Sequence, residues 1–294
     1  MLMNMNEILK VADANHFAVP AFNIGTGVIL NGVMDTCEKL NAPVILAIHP
    51  KELAFMGDSF IEMCKDRANK SHIPVCIHLD HSDFLPITRA IRTGFTSVMI
   101  DASHLSFEEN IAITKKVCEL AHPLGVSVEA ELGTIGALEN NMEGGGEIIY
   151  TNPEDAVRFV QETGCDTLAI AIGTSHGLYP AGMKPELKQD LLSEIKSKVS
   201  VPLVLHGGSG NKDSEIAEAV KRGISKINIS SDIKAALYGQ LRKTLENAKL
   251  REPFDLYPES VAAMNEVVEE KVRLFFADNK AGLYRLDNLA AERA

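Results

Sequence analysis

Short apolar runs recur along the chain, separated by longer stretches in which apolar positions return every three to four residues. The runs are Phe17-Ala18-Val19-Pro20-Ala21-Phe22, Val44-Ile45-Leu46-Ala47-Ile48, Val75-Cys76-Ile77-His78-Leu79 and Ser97-Val98-Met99-Ile100. They continue with Val126-Ser127-Val128-Glu129-Ala130, Thr167-Leu168-Ala169-Ile170-Ala171-Ile172, Leu203-Val204-Leu205 and Ile227-Asn228-Ile229. Nearly continuous apolar runs of this length, rich in β-branched residues, mark strands buried on both faces, as in a parallel sheet.

The intervening segments carry helical punctuation. Between Glu108 and His122, Ile111, Val117, Cys118 and Ala121 fall on one face and Gly125 follows as a stop. Asn152-Pro153-Glu154-Asp155 supplies an N-cap, a proline at the first helical position and acids in the first turn, and that helix stops at Gly164. Asp213 to Arg222 ends at Gly223 in the same way. The stretch after Gly239 reads as helix, and Glu259 to Phe276 as a long closing helix. Strand and helix alternating eight times predict an α/β fold, a (β/α)8 TIM barrel with additional C-terminal helices. No linker divides the chain, so residues 1–294 are expected to form one domain. The polar segment Leu138 to Tyr150, with Gly144-Gly145-Gly146, is a lid candidate, since long loops without structure of their own are often functional.

Composition narrows the function classes. A formal charge of −11 argues against nucleic acid or an anionic membrane as partner. Five widely spaced cysteines form neither a disulfide framework nor a C-x-x-C motif, which suggests a reducing compartment. No apolar stretch approaches the roughly 20 residues of a membrane span, and the N-terminus lacks the basic and apolar regions of a signal peptide. A cytoplasmic location is expected.

Ionisable residues gather where the runs end. His78-Leu79-Asp80-His81 closes the third run, Asp101 follows the fourth and Glu131 the fifth. His176 lies in Gly173-Thr174-Ser175-His176-Gly177, His206 opens His206-Gly207-Gly208-Ser209-Gly210, and Asn228, Ser230 and Ser231 end the eighth. In a barrel all of these reach one face. A lone histidine at a strand end is most often merely hydrogen-bonded; three from three strands with an open fourth position are the pattern of a catalytic zinc. On an ideal strand His81 faces away from Asp80, so its use as a ligand requires the strand to have ended. The glycine-rich turn after His206, leading towards a helix near Asp213, suits a phosphate.

These segments resemble the class II, metal-dependent ketose-bisphosphate aldolases. The resemblance runs from about Phe17 to Asp232 and is most specific over Val128-Glu129-Ala130-Glu131-Leu132-Gly133-Thr134-Ile135-Gly136-Ala137-Leu138-Glu139. It implies that His81, His176 and His206 hold a catalytic zinc, and that Asp101 and Glu131 bind metal in an alternative site or support the ligands. Asp80 would be the acid and base at the C4 hydroxyl of a ketose, and Glu139 would move the proton at C3 of dihydroxyacetone phosphate. Gly177, Gly207, Gly208, Ser209, Asn228, Ser230 and Ser231 would bind that molecule. Backbone around Ser175, Gly177, Gly207 and Ser209 would take sodium or potassium, and the assembly would be a homodimer or homotetramer.

Strand six contains no lysine for a Schiff base, and Lys226 sits at the wrong end of strand eight. Two departures stand out. Ser82 follows Asp80-His81 where the family has a small residue or histidine. Glu252-Pro253-Phe254 replaces the family's Asp-Pro-Arg, whose arginine binds the distal phosphate, and His49-Pro50-Lys51 replaces a turn used for the same phosphate. Arg251, Lys51 or His49 are the candidates to compensate. Otherwise the second fragment is an unphosphorylated or smaller aldehyde. The competing readings are a metal-dependent barrel hydrolase, disfavoured because the first run has no histidine, and a non-catalytic barrel that binds a sugar phosphate.

Overall fold

The computed structural model describes residues 1–137, 148–179 and 185–284. Among the described residues ten strands are formed: β1 Val19–Asn23, β2 Val44–Ile48, β3 Val75–Ser82, β4 Ser97–Ile100, β5 Ser127–Leu132, β6 Gly136–Ala137, β7 Thr167–Ile170, β8 Ser175–His176, β9 Leu203–Leu205 and β10 Ile224–Ile229. Eight close a barrel in the order β1-β10-β9-β7-β5-β4-β3-β2, each pair parallel. The TIM barrel expected from the apolar runs is therefore present. The other two, β6 and β8, pair with each other just beyond β5 and β7, with Ala137 opposite His176.

The helices are α1 Met5–Ala14, α2 Gly27–Lys39, α3 Pro50–Met56, α4 Ser59–Lys70, α5 Phe84–Thr93, α6 Phe107–Ala121, α7 Pro153–Thr163, α8 Gln189–Lys198, α9 Asp213–Lys221, α10 Ser231–Thr244, α11 Pro253–Leu256 and α12 Pro258–Leu274. Helix α6 buries Ile111, Val117, Cys118 and Ala121 as its period requires. Asn152 caps α7 through its side chain, and Gly164 ends it in the left-handed conformation. Gly239 proved to lie inside α10, which starts eight residues earlier at Ser231. Intrinsic propensity is a weak prior there, and the packing of α10 on α12 overrides it.

Helix α1 has no counterpart among the expected elements. Asn4 and Glu7 form a reciprocal capping box at its start. Its apolar face, Met5, Ile8 and Leu9, is fully buried across the N-terminal end of the barrel, where the Met3 amide donates to Val75 and the Met5 amide to Ser127 Oγ. That end is thereby sealed, and the opposite end carries the strand termini with their polar residues.

Candidate active site

The site is built on the strand ends, and the decisive local feature is in β3. The strand does not end before His81, as the period-two argument required. It continues to Ser82, and the register against β4 slips between Leu79 and Ser82. His81 takes a positive φ of 42° within that bulge. A bulge re-aims one side chain, so Asp80 and His81 both reach the interior end of the barrel.

Three imidazoles then converge. The ring centroid of His81 lies 4.3 Å from that of His206 and 4.8 Å from that of His176. Nitrogen atoms from all three lie within 4.8 Å of one another. His176 reaches this point because β8 pairs with β6, and because the Ser175 amide donates to Tyr179 Oη at 2.7 Å. Burial, then the nearby His81 and His206, pushes the His176 imidazolium down to about 3, so the ring is neutral and can ligate. His206 is lowered by burial, then by His81 and Lys226, against the pull of the Glu129 carboxylate.

Acceptor-only carboxylates fix the tautomers. Asp101 Oδ2 lies 2.9 Å from His81 Nδ1, so the proton sits on Nδ1 and Nε2 carries a lone pair. Glu129 Oε1 lies 2.8 Å from His206 Nε2, which leaves the lone pair on Nδ1. These two ring nitrogens, His81 Nε2 and His206 Nδ1, lie 2.6 Å apart. Two lone pairs that close repel unless a proton or cation lies between them. Glu131 Oε2 is also buried with no hydrogen-bond partner among the described residues, 3.7 Å from His206 Nδ1. Burial and then the neighbouring Asp101 raise the Glu131 carboxyl well above the usual range. Imidazoles oriented by carboxylates, beside a buried oxygen with no hydrogen-bond partner among the described residues, fit a divalent metal with nitrogen and oxygen donors. A second possible cluster, His81 with Asp101 and Glu131, shares the same imidazole.

Asp80 is buried beside this cluster, and both its oxygens are held. Asn23 Nδ2 donates to Oδ2 and Asn228 Nδ2 to Oδ1, each at 2.9 Å. Burial alone would raise the Asp80 carboxyl, but His81, Lys226 and His206 hold it well below the usual range. It therefore remains an anion, oriented by two amides. Asn228 Oδ1 is left buried without a partner among the described residues, a spare acceptor at the site.

A cavity of about 470 Å³ opens over Asp80 and His176. Gly177, Gly207, Gly208, Ser209, Asn228, Ser230 and Ser231, the residues expected to hold a phosphorylated fragment, all line it. Two glycines are obligatory for packing. A Cβ on Gly207 would lie 2.6 Å from Ser175 O, and one on Gly208 2.7 Å from Asn228 O. The Gly207 and Ser209 carbonyls accept from Asn211 Nδ2. Helix α10 begins at Ser231 against the same cavity, so its N-terminus favours an anion there.

Other placements differ from expectation. Glu139 lies outside the described residues. The bounds of the lid candidate are pinned on the described side, where Thr134 and Ile149 exchange backbone hydrogen bonds. Phe254 is 73% exposed on α11, and neither Arg251 nor Lys51 is among the described residues that line the cavity, whereas His49 is. Sequence reasoning gave no site role to Asn23, Glu129, Glu52, Lys234 or Arg242, and set Lys226 aside as a Schiff-base lysine without giving it another. Lys226 Nζ donates to both oxygens of Glu129 at 2.9 Å, with both side chains fully buried. Period-two spacing could have found them: Glu129 shares a face with Glu131, and Lys226 with Asn228.

Comparison with known proteins agrees with this geometry. The sequence profile of the family described as fructose-bisphosphate aldolase class-II matches residues 3–280. The chain belongs to that family. It is accordingly a lyase, a class II aldolase on a TIM barrel. It is 40% identical over 278 residues to the D-tagatose-1,6-bisphosphate aldolase subunit GatY of Klebsiella oxytoca, covering 93% of this chain and 97% of the relative. Among solved structures, the aldolase YdjI of Escherichia coli K12 superposes with a TM-score of 0.83 at 35% identity, covering 96% of this chain and all of that one. The fructose-bisphosphate aldolase of Campylobacter jejuni does so with a TM-score of 0.79 at 25% identity, covering 95% and 96%.

Proposed function

We propose that this aldolase cleaves a ketose 1-phosphate, in the reversible direction of synthesis or breakdown, to dihydroxyacetone phosphate and an aldehyde. The observation that carries the reading is Asp80, an oriented anion held beside three converging imidazoles at the floor of the cavity. Asp80 accepts the proton of the C4 hydroxyl as the C3–C4 bond breaks, and the bonding electrons stay with the three-carbon fragment as an enediolate. The same residue returns a proton to the aldehyde oxygen in condensation. Bound zinc supplies the Lewis acid that stabilises the negative charge. His81, His176 and His206 hold it, with Asp101 and Glu129 orienting two of the rings and Glu131 supporting the cluster or offering an alternative ligand. Glu139 delivers the proton at C3.

The glycine turn of Gly207 and Gly208, with Gly177, Ser209, Asn228, Ser230 and Ser231, binds dihydroxyacetone phosphate through backbone amides and hydroxyls. Sodium or potassium near the carbonyls of Ser175, Gly177, Gly207 and Ser209 belongs to the same reading. So do a cytoplasmic location, supported by five unpaired cysteines, and a homodimer or homotetramer covering exposed side chains such as Phe55 and Leu85. Among the described residues no helix is long and apolar enough to cross a membrane. The exposed Phe254 supports an unphosphorylated aldehyde, since it offers no donor where the family has an arginine. A second reading, a ketose 1,6-bisphosphate, is favoured by the tagatose-bisphosphate relative and by Arg242 at the cavity.

Metal content and aldehyde release test the core of the proposal. The protein should carry about one zinc per chain, and His206→Ala should lose both zinc and cleavage. Chelation should abolish activity, and borohydride with substrate should trap no covalent adduct. Full zinc occupancy in His206→Ala, or substrate-dependent inactivation by borohydride, would overturn it.

A further inference from the structure

One wall of the cavity is built around a fixed charge pair. Glu52, in the first turn of α3, accepts from the His49 amide through Oε2 at 3.1 Å and from Lys234 Nζ through Oε1 at 2.7 Å. Its carboxylate lies on the backbone of Gly25, where a Cβ would sit 2.8 Å from Oε1. The two side chains are 11% and 26% exposed, and both line the cavity that contains Asp80 and Asn228. The pair thus joins the loop after β1, helix α3 and helix α10, and Glu52 is held at both oxygens. Tyr238 and Arg242 continue the same face of α10 along the cavity.

A carboxylate in this position can only accept hydrogen bonds. A phosphate dianion brings no donor to Glu52 and is repelled by it in a partly water-excluded site. An ammonium that is already paired offers that phosphate less than a free one. A hydroxyl group meets both partners, since it donates to Glu52 and accepts from Lys234. We infer that the Glu52–Lys234 pair is the specificity determinant of the acceptor subsite, which reads hydroxyl groups on a neutral polyhydroxy aldehyde and rejects a terminal phosphate. The inference rests on the aldolase reading above and names the substrate class of its second fragment.

Condensation of dihydroxyacetone phosphate should be followed with D-glyceraldehyde and with D-glyceraldehyde 3-phosphate, using the zinc-loaded wild type and the Glu52→Gln, Lys234→Met and Arg242→Gln variants. The readout is the ratio of kcat/KM for the two aldehydes in each enzyme, which cancels the fraction of active protein. Glutamine at position 52 retains an oxygen for the capping box and removes the charge. Wild type should favour glyceraldehyde. Glu52→Gln should shift the ratio towards the phosphorylated aldehyde by about tenfold or more, and Lys234→Met should lower kcat/KM for glyceraldehyde about tenfold, as expected for charged hydrogen bonds to a hydroxyl. An unchanged ratio in Glu52→Gln overturns the inference while leaving the aldolase intact. So does a wild-type preference for glyceraldehyde 3-phosphate that Arg242→Gln abolishes. Failure of the wild type to condense either aldehyde would remove the aldolase reading and the inference together.

Discussion

Lys226 and Glu129 form an ion pair in the barrel interior, directly beneath a proposed metal ligand. Replacing Lys226 by Met removes one partner and leaves Glu129 buried beside the imidazoles of His206, at 2.8 Å, and His78, at 3.8 Å. Breaking a buried pair from one side costs about 3–5 kcal/mol, because a charge is left uncompensated. For a chain of 294 residues each kcal/mol lowers the melting temperature by roughly 1.6 °C, so the apparent Tm should fall by about 5–8 °C. The deficit depends on pH. Burial would raise the Glu129 carboxyl, but Lys226 holds it far below the usual range in the native protein. Without Lys226 the folded-state value moves up, so the stability that the wild type gains as Glu129 ionises above its low folded-state value is reduced in the variant. The gap between variant and wild type should therefore widen with rising pH. Adding Glu129→Leu removes the stranded charge and should recover most of the lost stability. The same double variant leaves His206 without its orienting carboxylate and should bind zinc roughly 10–100-fold more weakly. Calorimetry at fixed scan rate and competition against a chromophoric chelator measure the two effects separately. A Lys226→Met protein that melts with the wild type, or a double variant that holds zinc as tightly, would refute this account.

Asp80→Ala should retain zinc and lose roughly 10²–10⁴-fold in cleavage, the contribution of a positioned acid–base group; wild-type turnover would remove Asp80 from its role. All five cysteines are free and buried, and burial pushes the thiols of Cys64, Cys76 and Cys165 up to about 12. Iodoacetamide at pH 8 should therefore leave the native protein unmodified and alkylate every cysteine in urea, as mass spectrometry can read; rapid native labelling would contradict the burial.

The barrel was legible because parallel strands buried on both faces must be written in apolar residues, and these eight runs were. Helix boundaries were legible where backbone chemistry is local, as at Asn152 and Gly164. The site was legible only where polar residues interrupted or ended a run. Asn23 was missed because the first run seemed to stop at Phe22, although the strand keeps one more residue and spends it on Asp80. Glu129 and Lys226 were passed over because charges inside a buried strand make sense only once a partner 97 residues away is known. The Glu52–Lys234 pair spans 182 residues and has no local signature beyond the capping role of Glu52.

The bulge in β3 is the clearest case of function overriding the period of a strand. Asp80 must face Asn23 and Asn228, from β1 and β10, while His81 must face His206, the residue after β9. Consecutive residues of a regular strand point to opposite faces, so an unbroken β3 could satisfy only one of these demands. The positive φ at His81 resolves the conflict at a cost of about 1–2 kcal/mol. That cost is sustained by Asp101, whose backbone amide donates to Ser82 O at 3.0 Å and whose carboxylate takes His81 Nδ1–H. One residue thus stabilises the distortion and sets the tautomer of the side chain the distortion delivers.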